Sequence, residues 1–165
     1  MHREPKTDIR LAVMLAVFAS IGAGVIHAVV APRYLAEWQQ SGMFFAALAL
    51  FQLAWAVFVA RWPWPALLGV GLLANAGVMC LWVYTRALGL PFGPEAGVPQ
   101  PVGAPGVLAM MLEASVVLGV IWSLLPRRTS ATLSTSGYRF AVAGAGLAML
   151  LLVTPGVVTA LGLSA

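Results

Sequence analysis

Five long apolar runs, separated by short polar or proline-rich breaks, set the pattern of this chain. A helix that crosses a bilayer needs about 20 mainly apolar residues. Runs over about 9–31, 43–61, 66–88, 107–125 and 140–161 meet that length. The breaks fall at 32–42, at Trp62-Pro63-Trp64-Pro65, at 89–106 and at 126–139. Proline cannot continue the helical hydrogen-bond ladder, so its presence at each break fits a helix end. The pattern predicts an all-α, membrane-spanning bundle of about five transmembrane helices, in a single domain over residues 1–165.

Composition agrees. The chain is 61% hydrophobic and 8% charged, with a mean hydropathy of +0.95, whereas soluble domains carry about 25% charged residues. The sequence pI near 10.0 does not indicate nucleic acid, because the nine basic residues are scattered and form no patch. Cys80 is the single cysteine and lies inside an apolar run, which leaves no intrachain disulfide and no cysteine-based zinc motif. The first apolar run is too long for a secretory h-region, and Ala28-Val29-Val30-Ala31 lacks an A-x-A site. An uncleaved first helix is expected.

Cytoplasmic loops retain Lys and Arg, which gives an orientation. With the N-terminus inside and the C-terminus outside, Arg3, Lys6, Arg10, Arg61, Arg127, Arg128 and Arg139 are cytoplasmic, against Arg33 and Arg86 outside. Aromatics fit the same frame, with Tyr34, Trp38, Trp82 and Tyr84 at the outer level and Trp62, Trp64, Trp122 and Tyr138 at the inner. Residues 33–40 read as a short outer interfacial helix between helices 1 and 2. Tyr34, Leu35 and Trp38 share its apolar face, and Arg33 pairs with Glu37. The Thr154-Pro155-Gly156 step is expected to kink the fifth helix or let it stop short of the outer surface.

Lipid provides no hydrophobic drive for helices to associate, so small residues that permit close approach mark packing faces. Helix 1 carries Ala12, Ala16, Ser20, Gly24 and Ala28 at four-residue spacing; helix 3 carries Gly69, Gly71, Ala74, Ala76 and Gly77; helix 5 carries Ala141, Gly144, Ala145, Gly146 and Ala148. These faces point to contacts within the bundle, a membrane protein partner or a homo-oligomer.

Polar groups at membrane depth are expensive and are candidate functional residues by default. Here they are His27, Gln52, Asn75, Arg86 and Glu113, all placed at or above the midplane on the outer side. Asn75, Met79, Trp82 and Arg86 follow one helical face, and His27 shares the Ser20 side of helix 1. A polar cavity open to the outside and lined by helices 1, 3 and 4, with Gln52 from helix 2, follows from this placement. Two readings of Glu113 stay open, a neutral acid at depth or a clamp with Arg86. For His27, Gln52 and Asn75 interhelical hydrogen bonding competes with ligand contact, and for Trp82 interfacial anchoring is favoured over a cation–π contact with Arg86. The loop 89–106 is a candidate cap or a simple linker.

Metal candidates in the outer half are His27, Glu113, Met79, Cys80, Met110 and Met111, of a softness that suits copper. They form no H-x-x-H, C-x-x-C or M-x-x-M cluster, and Met and Cys in apolar helices usually pack. Bis-histidine haem is disfavoured because His2 and His27 belong to opposite sides. No Ser-His-Asp set or paired nucleophile and base is marked, so the reading leans away from an enzyme and no cofactor is expected.

His27, Glu37-Trp38, Gly42, Phe45, Gln52, Trp55 and the Leu90-Pro91-Phe92-Gly93-Pro94-Glu95 run together resemble a group of small uncharacterised polytopic membrane proteins of high-GC bacteria. The resemblance leaves out helix 5. It implies a bacterial cytoplasmic membrane location and supplies no activity. The expectation is a non-enzymatic accessory or assembly subunit of a larger membrane complex. The alternative is a small-solute, proton or metal binder or transporter using His27, Arg86 and Glu113; a redox membrane enzyme with a bound cofactor is the remote third.

Overall fold

The computed structural model of the chain describes residues 7–126 and 133–163. Its elements are α1 Thr7–Glu37, α2 Gln39–Arg61, α3 Pro65–Ala87, α4 Ala104–Leu124 and α5 Thr135–Ala160, with no strand among the described residues. All five helices are long and apolar enough to cross a bilayer, the architecture of a multi-pass integral membrane protein. Proline opens α3 and sits in the first turn of α4, where its missing N–H removes no intrahelical bond. Ser134 caps α5 by accepting from the Gly137 N–H at 3.1 Å.

The largest departure from the sequence pattern is between helices 1 and 2. No separate interfacial helix forms: α1 runs on through Pro32 to Glu37, and Trp38 alone, extended at φ −158 and ψ 115, separates it from α2. Close packing at this corner explains the difference. A Cβ on Gly42 would run into the backbone N and Cα of Leu35, so glycine lets the two helices cross in contact. Ser41 Oγ donates to the Trp38 and Tyr34 carbonyls at 2.7 and 3.3 Å, a second bond on each beside the backbone N–H of Gly42 and of Trp38. Tyr34 packs on Phe45 with the rings tilted and their centroids 4.5 Å apart, and Trp38 meets Phe92 at 6.0 Å. The face read as lipid-anchoring therefore holds a helical corner. Arg33 and Glu37 do pair, Nε to Oε1 2.9 Å, but both are exposed, and such pairs contribute under about 1 kcal/mol. Gly42→Ala is expected to open the corner and cost about 1–3 kcal/mol, as overpacking does, read as a lower unfolding midpoint in detergent.

α1 is the central helix, packed along α2, α4 and α5, while α3 leans on α4. The small residues of α1 serve two neighbours. Ala12 and Ala16 lie against Gly119 of α4, and Gly24 lies against Ala49 and Leu53 of α2. α3 reaches α2 through Trp55, whose indole is 2% exposed, rests on Gly71 and donates to the Leu67 carbonyl at 2.8 Å. α5 continues through Pro155, beside which Thr154 Oγ1 donates to the Leu150 carbonyl at 2.8 Å. Its one fully buried residue is Gly156, set on Ile26 and Leu108.

The bundle has two distinct ends. Arg10 lies over the Tyr138 ring at 5.6 Å, which brings the starts of α1 and α5 to one end; Arg61 sits over Trp62 at 5.4 Å at the close of α2. Trp38, Phe92 and Gly93 mark the opposite end, where residues 88–103 fold over the α1–α2 corner. Of the cations behind the orientation, Arg3, Lys6, Arg127 and Arg128 lie outside the described residues, as does His2.

Candidate functional site

Four of the five intramembrane polar residues converge, one from each of α1 to α4. His27, Gln52, Asn75 and Glu113 are 5%, 0%, 1% and 2% exposed, so they form a sealed cluster in place of an open cavity. Gln52 is its hub. Its Oε1 lies 2.9 Å from His27 Nδ1, and its Nε2 donates to Asn75 Oδ1 and to Glu113 Oε1, both at 3.3 Å. Asn75 Nδ2 donates to the Gly71 carbonyl at 2.8 Å, and Ser20 Oγ to the backbone carbonyl of Gln52 at 2.9 Å. His27 Nε2 stands 3.8 Å from Glu113 Oε1, beyond hydrogen-bond reach.

Local sequence explains the convergence. Ser20 and His27 are seven apart on the small-residue side of α1, where the neighbouring backbone comes close. Gln52 and Trp55 are three apart on α2, so the indole that pins α3 also fixes the register in which Gln52 meets Asn75. Since α1 continues to Glu37, His27 lies about 15 Å short of its end at 1.5 Å per residue. That is deeper than the apolar run implied, and level with Gln52 and Asn75. Phe45 stacks on the imidazole, ring centroids 5.7 Å apart, and closes the cluster on the Trp38 side.

Arg86 is elsewhere. Its Nη1 donates to Thr85 Oγ1 at 2.8 Å, and its guanidinium lies 4.6 Å above the Trp82 ring. The cation–π contact that anchoring was preferred to is therefore present. The clamp with Glu113 is not formed, because Arg86 ends α3 while Glu113 is near the middle of α4. Arg86 Nε and Trp82 Nε1 are buried without a hydrogen-bond partner among the described residues. Arg33, Glu37 and Trp38 belong to the α1–α2 corner and not to the cluster.

Of the metal candidates, His27 and Glu113 stand together, 3.8 Å apart. Among the described residues no group of three or more His, Cys, Asp or Glu gathers at one place. Cys80 is exposed on the outside of α3, and Met79 and Met110 are half-buried. Two parts of the site were missed in the sequence, the Ser20 hydroxyl and the pinning role of Trp55. The signal for Ser20 was its place in the small-residue stripe; that for Trp55 was a large polar-tipped ring three residues from Gln52 in an apolar run. The loop after α3 is tied down by Gln100, whose N–H donates to the Thr85 carbonyl and whose Nε2 donates to Glu95 Oε2, each at 2.9 Å. No protein-family model matches the chain, and no curated protein or solved structure matches it either.

Proposed function

We propose that this protein is a non-enzymatic accessory or assembly subunit of a larger membrane complex, in a bacterial cytoplasmic membrane, with its Arg10 end inside and its Trp38 end outside. One observation carries this reading: glycines stand on helix faces that no described residue covers. A Cβ on Gly69 or Gly77 of α3, or on Gly144 of α5, would meet no atom of the described residues within 4 Å. Glycine costs a helix about 1 kcal/mol relative to alanine, and its benefit in membranes is close approach of another helix. α5 is the least buried of the five spans, and Gly144 and Ala148 lie one turn apart on its exposed side. A partner helix seated there would use that space. The non-enzymatic part rests on the sequence, which marks no catalytic or nucleotide motif. Extraction in a mild detergent followed by mass spectrometry is expected to return a stoichiometric membrane partner, and a protein that runs alone as a monomer would refute the proposal.

A second reading has its own observation. His27 and Glu113 are two ionisable groups 3.8 Å apart in a sealed interior, an expensive arrangement in lipid. In this reading the pair binds a proton or small cation. His27→Ala and Glu113→Gln then alter function while the protein still inserts and folds, whereas unchanged function in both ends it.

A further inference from the structure

We infer that His27 Nε2 and the Glu113 carboxyl form a one-proton binding site whose polarity is set by a backbone carbonyl of α3. The inference deepens the second reading, in which this pair is a site.

The argument begins at Gly71. Its carbonyl can only accept, so the Asn75 atom 2.8 Å from it is the NH2 group, and Asn75 presents its oxygen to Gln52. Gln52 must answer that oxygen with its own NH2, which also faces Glu113 Oε1, and this leaves Gln52 Oε1 toward the imidazole. An amide oxygen can only accept, so His27 Nδ1 carries a hydrogen and donates. The ring nitrogen left to titrate is Nε2, and it faces Glu113. Each turn of the relay is forced by the one before it, because reversing either amide would set two oxygens against each other.

Charge then fixes the occupancy. The groups at this level are His27 from α1, Gln52 from α2, Asn75 from α3 and Glu113 from α4, while α5 places Gly156 on Ile26 beside them. Arg86 lies at the far end of α3 and does not face the pair. No other ionisable side chain among these groups can balance a charge. With no proton on Nε2 or the carboxyl the site is a bare anion, and with two it is a bare cation; both are heavily penalised in a sealed apolar interior. One proton leaves it neutral overall, either as imidazolium with carboxylate or as imidazole with carboxylic acid. The gap of 3.8 Å exceeds a hydrogen bond, so transfer between the two requires the side chains to close by about 1 Å.

The test is the protein with 15N-labelled histidine in lipid nanodiscs, carrying His2→Gln so that His27 gives the one imidazole signal. Nitrogen NMR is expected to show hydrogen on Nδ1. Infrared spectroscopy, with Glu113→Gln to identify the band, is expected to show the Glu113 acid carbonyl when Nε2 is bare and to lose it when Nε2 is protonated. This one-for-one exchange should hold across pH ~5–8, where a free histidine titrates. Hydrogen on Nε2 with a bare Nδ1, or both groups protonated, or neither, would overturn the inference. If Glu113→Gln does not fold, 13C-labelled glutamate in the otherwise wild-type bundle supplies the same readout. In Asn75→Leu the relay loses its anchor, and a mixture of the two tautomers is expected; Nδ1–H alone would show that α3 does not set the direction. A failed tautomer result leaves the second reading standing, while unchanged cellular function in His27→Ala and Glu113→Gln ends that reading without touching the tautomer.

Discussion

Gln52→Leu is expected to be the most damaging single substitution in the bundle, lowering stability by about 2–4 kcal/mol. The side chain holds three groups from three helices: His27 Nδ1, Asn75 Oδ1 and Glu113 Oε1. Leucine fills a similar volume but partners none of them. Interhelical hydrogen bonds in membranes average about 0.6 kcal/mol with a maximum near 1.7, so the bonds alone give the lower figure. The larger part comes from stranding. A buried polar group left without a partner costs about 1–3 kcal/mol, and with Gln52 at 0% exposure water cannot replace it without opening the bundle. Ser20 is spared, because it bonds the backbone carbonyl of residue 52 and not the side chain. Unfolding by titrated denaturing detergent measures the change, and a loss below about 1 kcal/mol would mean that Gln52 is not the hub.

The same cluster shows what one sequence can and cannot reveal. The five spans were legible because bilayer thickness imposes a length on each apolar run, and the helices fall where the runs do. The deep polar residues were legible because they interrupt those runs. Which of them meet was not. Arg86, Asn75 and Trp82 share a face of α3, yet Asn75 turns to Gln52 while Arg86 stacks on Trp82. Only the closeness of neighbouring helices decides that, and periodicity does not encode it. Helix ends were blurred for a related reason. Apolar content stops near residue 31, but α1 continues because Gly42 and Ser41 close a corner on residues 34–38. Polar composition there signals exposure and says nothing about whether the backbone stays helical.

The cluster also divides the bundle. α1 to α4 each contribute a side chain to it, whereas α5 contributes none and buries Gly156 alone. Through Gln52, Asn75 and Trp55 the weakly apposed α2 and α3 are fixed to each other. α5 is thus held along its length by small-residue and aliphatic contacts, with Arg10 of α1 over the Tyr138 ring at one end.

Replacing the whole cluster should do less harm to stability than breaking it. His27→Leu or Glu113→Leu alone is expected to cost about 1–3 kcal/mol, since each leaves the other members short of a partner in a dry interior. The combination of His27→Leu, Gln52→Leu, Asn75→Leu and Glu113→Leu leaves none. Apolar groups of similar volume can match a buried polar set, because the desolvation penalty of the polar atoms disappears along with their bonds. The fourfold variant is therefore expected within about 1 kcal/mol of the wild type, and above every single variant. Ser20 keeps its carbonyl and Trp55 keeps Leu67, so the register of α1, α2 and α3 is retained. Denaturing-detergent titration of the series decides the energetics: if the costs simply add, the hydrogen bonds themselves supply net stability. A cellular assay of the fourfold variant then decides the role. A stable bundle that still supports function identifies the cluster as a strut, and a stable bundle without function identifies it as the site.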